Sequence, residues 1–203
     1  MYRTLALFLA VLVYNISEAS ILDKIQEKLQ NSKGIEAEFI QTSEIEGFND
    51  KSTFKGYLYI SKPDKVKIQY VSPEPNIIFV NGKETIVYNP VEKQAVISEL
   101  PDQFIVVKIF KLIAEGKDFT QLFNVIKIEE KKNRVVLHLL PKNDNQLKSL
   151  SISFSSKNYL IKELNIEDKE GNKIKVSFKK FKYLDKPIEL GLKLDKDVEI
   201  MRY

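Results

Sequence analysis

The chain has 203 residues, 43% of them hydrophobic and 30% charged, with a formal net charge of +4. That length suits one large domain rather than two, and seven glycines and seven prolines are too few for a fibrous or disordered chain. There is no cysteine, which excludes disulfides, thiolate nucleophiles and cysteine-held metals, and the mild positive charge is spread along the chain as lysines rather than gathered into a nucleic-acid site.

The N-terminal stretch MYRTLALFLAVLVYNISEAS has one arginine, an apolar run from Leu5 to Val13, and small residues at Ser17 and Ala19. That is the pattern of a secretory signal peptide, and the run falls short of the roughly 20 residues that span a bilayer. Residues 1–19 are therefore expected to be removed, leaving 20–203 as a single soluble domain without an anchor, either secreted or confined to a periplasm. Losing Arg3 and Glu18 leaves the charge unchanged. In ILDKIQEKLQNSKG, Ile21, Leu22, Ile25 and Leu29 recur at helical spacing, with Gly34 as the stop.

Strands follow. IEAEFIQTSEI alternates; 54–61 and 65–71 form the next pair; NIIFV and KETIVYN flank Asn81-Gly82, a hairpin signal. After KQAVISE comes LPDQFIVVKIFKLIAEGKDF, whose 3–4 spacing predicts a helix that starts at Pro-Asp and stops at Gly116. Five further runs, from NVIKIEE to KIKVSFKKFKY, and a last one, LKLDKDVEI, complete the pattern. It predicts a mainly β fold: an antiparallel β-barrel or strongly curved sheet of about eleven strands in meander order. The inserted helix and the N-terminal one would be two apolar lids over its concave face.

No catalytic constellation emerges, so an enzyme is not expected. The single histidine, His138, sits inside a strand, and there is no nucleophile elbow, zinc-helix motif, phosphate loop or calcium loop. No cofactor or metal is implied.

The segment GYLYISKPDKVKIQYVSPEPNIIFVNGKETIVYNPVEKQAVI carries an ordered set of short motifs: Gly56, Leu58, Lys62-Pro63, Pro73, Asn81-Gly82-Lys83 and Tyr88-Asn89-Pro90, preceded by AEFIQ at 37–41. In this order they resemble the LolA family of periplasmic outer-membrane lipoprotein carriers, over most of the chain after the signal segment. The resemblance implies an unclosed barrel with helices over its mouth and an apolar cavity for the acyl chains of a lipoprotein. It further implies loading by an inner-membrane ABC-type releasing complex, unloading to an outer-membrane lipoprotein receptor, and action as a monomer. A receptor of the same superfamily is normally lipidated on a cysteine, and a lipoprotein-sensing regulator carries an additional C-terminal domain. The remaining alternative is a general binder of apolar ligands with a lipocalin-like barrel, against which the inserted helix counts.

The cavity lining is expected from alternate positions on four successive strands: Leu58, Ile60, Val66, Ile68, Ile78, Val80, Ile86 and Tyr88. The second apolar side of YLYIS is expected to face the same interior. The lid would bring Phe104, Ile105, Ile109 and Leu112. By resemblance the basic residue before the proline latches the lid; where the family often has arginine this chain has Lys62, a point charge without a planar fork.

Overall fold

A computed structural model describes residues 21–48 and 50–203; the expected signal segment lies outside the described residues. The described chain opens on a helix, α1, over residues 21–31. Six strands follow: β1 (Gly34–Glu44), β2 (Lys51–Ser61), β3 (Lys65–Ser72), β4 (Asn76–Asn81), β5 (Glu84–Asn89) and β6 (Gln94–Glu99). Two helices interrupt them, α2 (Ile105–Glu115) and the single turn α3 (Phe119–Leu122). The chain resumes with β7 (Phe123–Lys131), β8 (Arg134–Pro141), β9 (Leu147–Ser155), β10 (Ile161–Asp168), β11 (Lys173–Leu184) and β12 (Glu199–Arg202).

All twelve strands form one sheet in the order β12-β6-β5-β4-β3-β2-β1-β11-β10-β9-β8-β7. It is two meanders, β1–β6 and β7–β11, sewn together by antiparallel pairing of β1 with β11. Among the described residues the end strands β7 and β12 do not pair, so the barrel is unclosed, as the family resemblance implies. Gly34 does not stop the helix; it opens β1. LKLDKDVEI is not the expected long strand: only Glu199–Arg202 pairs, and it does so parallel to β6.

Alternation along each strand decides the two faces. Ile35, Ala37 and Phe39 of β1 pair with Ile60, Leu58 and Gly56 of β2, and this row points inward. Gly56 is required there: a Cβ would stand 2.3 Å from the Gln69 carbonyl oxygen and 2.9 Å from the Phe39 ring. The inner face carries one continuous core, from Val66 and Ile68 through Phe178 to Leu137 and Ile152, with α1 and α2 packed into it. Ile21, Ile25 and Leu29 of α1 are 8%, 0% and 5% exposed, the stripe that their spacing predicts. Phe110 of α2 reaches across the concavity to Phe178 of β11, with ring centroids 6.0 Å apart and edge to face.

The outer face holds a smaller apolar layer absent from the sequence reading. Phe79, Tyr88, Ala95 and Ile97 are 0–8% exposed, yet they point away from the main core. What covers them is the arm of residues 185–198. It runs across the strands, taking a hydrogen bond from Lys67 at the Gly191 carbonyl (3.3 Å) and one from the Tyr88 hydroxyl at Asp195 (2.8 Å), before Lys93 pairs with Asp197. YLYIS therefore splits: Leu58 and Ile60 face inward, while Tyr57 and Tyr59 lie on the outer face, Tyr57 38% exposed.

Candidate functional site

Six of the eight expected lining residues form one row on the inner face. Leu58, Ile68 and Ile78 are in register across β2, β3 and β4, as are Ile60, Val66 and Val80. All six are at most 8% exposed, packed beneath the helices. Ile86 and Tyr88 are a correction. Ile86 pairs with Phe79 and Tyr88 with Ile77, so both lie on the outer face, and Tyr88 is buried by the C-terminal arm. The inner face of β5 is supplied by Thr85, opposite Val80, and Val87, opposite Ile78. The hairpin loop is Gly82-Lys83, one position later than expected, with Gly82 at φ +63°.

Over this row lies α2. Ile105, Val106, Val107, Ile109, Phe110, Ile113 and Ala114 are buried, Ile105 and Ile109 of the expected lid among them. Phe104 precedes the helix at its N-cap position and is partly buried against the core. Leu112, on the same side of α2 as Ile105 and Ile109, is partly buried against the core, and all three line a cleft of about 350 Å³ between α2 and the neighbouring ends of β7, β8 and β9. Leu122, Phe123, Pro141 and Leu147 form the opposite wall of that cleft, and Lys108, Lys111 and Lys117 lie on its α2 side. This is the apolar opening on the unclosed side of the barrel.

Little except burial holds α2. Its N-cap makes no side-chain hydrogen bond, and it has no acidic residue in its first turn and no basic one in its last; either would ordinarily contribute about 0.3–1 kcal/mol. Gly116 ends it in the left-handed region at φ +65°. Lys108 pairs with Asp102 (3.2 Å) and Asp144 (3.3 Å), and such partly exposed pairs are worth about 0–1 kcal/mol.

Lys62 sits half-buried where the two helices meet. Its ammonium donates to the Leu29 carbonyl at the end of α1 and lies 3.6 Å from where a Cβ on Gly116 would be. Leu29 O also accepts from the Ser32 hydroxyl (2.8 Å). Carbonyls in a last helical turn lack intrahelical donors and lie at the negative end of the helix dipole, so a cation fits there. Burial pushes the Lys62 pKa down, and neighbouring Lys33 adds to it.

A second tie is invisible in the sequence. Asp118 caps α3 by accepting from Thr120 N and Oγ1, both at 2.7 Å, and accepts from Gln26 Nε2 of α1 at 2.6 Å. Burial opposes ionisation of its carboxyl, but the Thr120 and Gln26 hydrogen bonds prevail and hold its pKa below the usual carboxylate value. A depressed carboxylate contributes stability above its unfolded pKa, about 3.9, and loses it as pH falls through the folded value. Asp118→Ala is expected to cost about 1 kcal/mol, the value of an N-cap, and to speed amide exchange in α1. The difference from the parent should shrink as pH falls below the unfolded value and through the depressed folded pKa, where the parent too loses its carboxylate. Equal exchange in α1 at neutral pH would show that the tie is idle.

His138, on the outer face of β8, has its Nε2 3.6 Å from Glu129, itself gripped by Lys127 and Lys131. Among the described residues no His, Cys, Asp and Glu cluster suits a metal ion, and no helix is long and apolar enough to cross a membrane.

Comparisons with known proteins agree with this geometry. The chain is 27% identical over 180 residues to an outer-membrane lipoprotein carrier protein of Francisella philomiragia, covering 88% of this chain and 85% of the relative. It is 22% identical to the protein of that name from Dechloromonas aromatica, covering 81% and 78%. The crystal structure of an uncharacterized conserved protein from Thermus thermophilus shares the fold, with a TM-score of 0.57 at 16% identity over 92% of this chain and 99% of that one. Residues 30–187, which include Lys62, the inner row of β2–β4 and the whole of α2, match the family model described as outer membrane lipoprotein carrier protein LolA, and the chain belongs to that family.

Proposed function

We propose that this protein carries lipoproteins across the periplasm, after export by the segment at residues 1–19. It holds their acyl chains against the inner row Leu58, Ile60, Val66, Ile68, Ile78 and Val80. An inner-membrane ABC-type releasing complex loads it and an outer-membrane lipoprotein receptor unloads it. The observation that carries this reading is α2: an apolar helix that fills a concave sheet and is kept there almost entirely by burial.

Magnitudes make the exchange workable. An acyl chain of about fifteen methylenes costs roughly 12 kcal/mol to expose to water, which rules out free diffusion of the cargo. The six large side chains that α2 buries are worth about 1.5–3 kcal/mol each, so the self-packing of the empty carrier is on the order of 10 kcal/mol. An acyl chain that takes the place of α2 on the sheet replaces one burial by a comparable one, and the load can be both accepted and surrendered.

The direct test is mass spectrometry of what co-purifies with the exported protein from its own envelope. Acylated lipoproteins are expected, and their non-acylated forms, with the lipidated cysteine replaced, should be absent. Recovery of both forms alike, or of neither, would reject the proposal.

Lys62 would bias the balance between closed and open forms. Lys62→Leu is expected to weaken the closed state by about 0.5–1.5 kcal/mol, the net worth of one hydrogen bond. The open form then rises several-fold, which eases loading and hinders release to receptor-bearing membranes. Lys62→Arg, able to bridge two carbonyls, should act in the opposite sense. Transfer kinetics followed beside thermal melts decide it: unchanged transfer in both variants returns Lys62 to a purely structural role.

A further inference from the structure

The cleft beside α2 is open while α2 is in its seat, and its lining shares no residue with the inner row of β2–β4. At about 350 Å³ it falls at the low end of small-molecule pockets, which run from about 300 to 1,000 Å³. Ile105, Ile109 and Leu112 form its α2 wall, and Phe123, Pro141 and Leu147 stand opposite. Lys108 and Lys111 share the α2 flank, three residues apart, so their methylene stems extend the apolar wall and their ammonium groups mark its rim.

Five charged side chains border the cleft: Lys108, Lys111, Glu115, Lys117 and Asp144. Four of them are matched. Lys117 holds Glu115 at 2.7 Å, and Lys108 holds Asp144 at 3.3 Å. Asp144 also accepts from the N–H groups of Gln146 and Leu147, at 2.8 and 2.7 Å. Lys111, partly exposed, pairs with no carboxylate among the described residues. The remaining polar side chain of the lining, Asn143, offers a donor and an acceptor alike and does not discriminate by charge. An anionic head therefore meets one uncommitted cation and no uncommitted carboxylate, whereas a cationic head meets Lys111 with nothing to offset it.

We propose that this cleft binds a single-chain amphiphile with an anionic head, its tail between α2 and the ends of β7–β9 and its head against Lys111, while α2 stays seated. The head is a carboxylate or a phosphate ester, from a free fatty acid or a lysophospholipid. Such a ligand differs from lipoprotein cargo, which takes the place of α2 on the inner row. Because it fits the closed form alone, it stabilises that form by mass action and opposes loading. The binding stands apart from lipoprotein carriage; the opposition to loading rests on that reading.

The test is calorimetric titration of the exported chain with dodecanoate, lauroyl lysophosphatidylglycerol, dodecanol and dodecyltrimethylammonium, each below its micelle concentration. The two anions are expected to bind several-fold more tightly than the alcohol, with the cation weakest. Lys111→Gln should weaken the anions up to about fivefold, as loss of one partly exposed ion pair does, and Lys111→Glu should place the cation above them. Hydrogen exchange of α2 amides should slow when dodecanoate is bound, since the ligand holds α2 closed. Whichever anion binds the tighter names the source, and either supports the site. Binding of dodecanoate by a protein that accepts no acylated lipoprotein would sink carriage and leave the cleft standing. Equal affinity for all four tails, an order unchanged by both substitutions, or faster exchange in α2 would overturn the proposal.

Discussion

A variant carrying Lys108→Cys and Asn143→Cys, joined by a short bismaleimide, is expected to take up no acylated lipoprotein, whereas the same variant left unjoined should load like the parent. The two positions face each other across the cleft between α2 and the β8–β9 connection. Neither is part of the buried core. Removing the Lys108 side chain loses two pairs, to Asp102 and Asp144, that together are worth at most about 2 kcal/mol. The burial of Ile105, Val106, Ile109, Phe110 and Ile113 is untouched, so the closed form survives the substitutions. The covalent bridge alters one quantity, the freedom of α2 to leave the inner row. No other thiol exists in the chain to react. Loading would be read as retention of a fluorescent-lipid-modified lipoprotein after gel filtration. If joined and unjoined proteins load equally, α2 is fixed packing, and the acyl chains enter somewhere else.

Most of the fold could be read from residue periodicity because burial repeats on a short period. The stripe Ile21, Ile25, Leu29 and the rows Leu58, Ile60 and Val66, Ile68 satisfy local alternation, and each element stays in phase with itself. Phase across a turn is a different matter. Carrying even numbers over the β4–β5 hairpin assigns Ile86 and Tyr88 to the inner face. A two-residue loop pairs an even position with an odd one, Val80 with Thr85, so the rows exchange faces. That inversion is contained in the sequence and needs only the loop length to be counted. Other features are not contained in it. The tie from Gln26 to Asp118 spans 92 positions, and the arm over the outer face joins Tyr88 to Asp195 across 107. Nothing in residues 185–198 has a period to read, because the arm supplies coverage through irregular backbone. The Lys62 acceptor is a main-chain carbonyl, Leu29 O, which no side-chain pattern announces.

Ile68→Glu is expected to produce a folded protein whose stability falls steadily as pH rises, while the parent stays nearly flat over the same range. Ile68 is fully buried on the inner row, opposite Leu58 on one side and Ile78 on the other, beneath α2. A carboxyl in such a place has its pKa raised, by as much as about 3–5 units when burial is complete. The folded state then holds its proton where the unfolded chain, with a pKa of about 4.3, has released it. More protons bound in the folded state means that stability declines with rising pH, by about 1.4 kcal/mol per unit, from above pH 4.3 up to the raised value. The full penalty, roughly 4–7 kcal/mol, is a large share of the 5–15 kcal/mol that holds a typical domain together, yet it remains below the order of 10 kcal/mol needed to strip α2 from the sheet. The helix should therefore stay in place with the new carboxyl protonated beneath it. Cargo suffers more than fold, because an acyl chain laid on the inner row would meet a polar group that it cannot satisfy. Urea midpoints between pH 5 and 8, measured alongside lipoprotein loading, separate the two effects. A destabilisation that does not change with pH would mean that water reaches the inner row even when α2 is closed, and the dry cavity wall assigned to β3 would have to be abandoned.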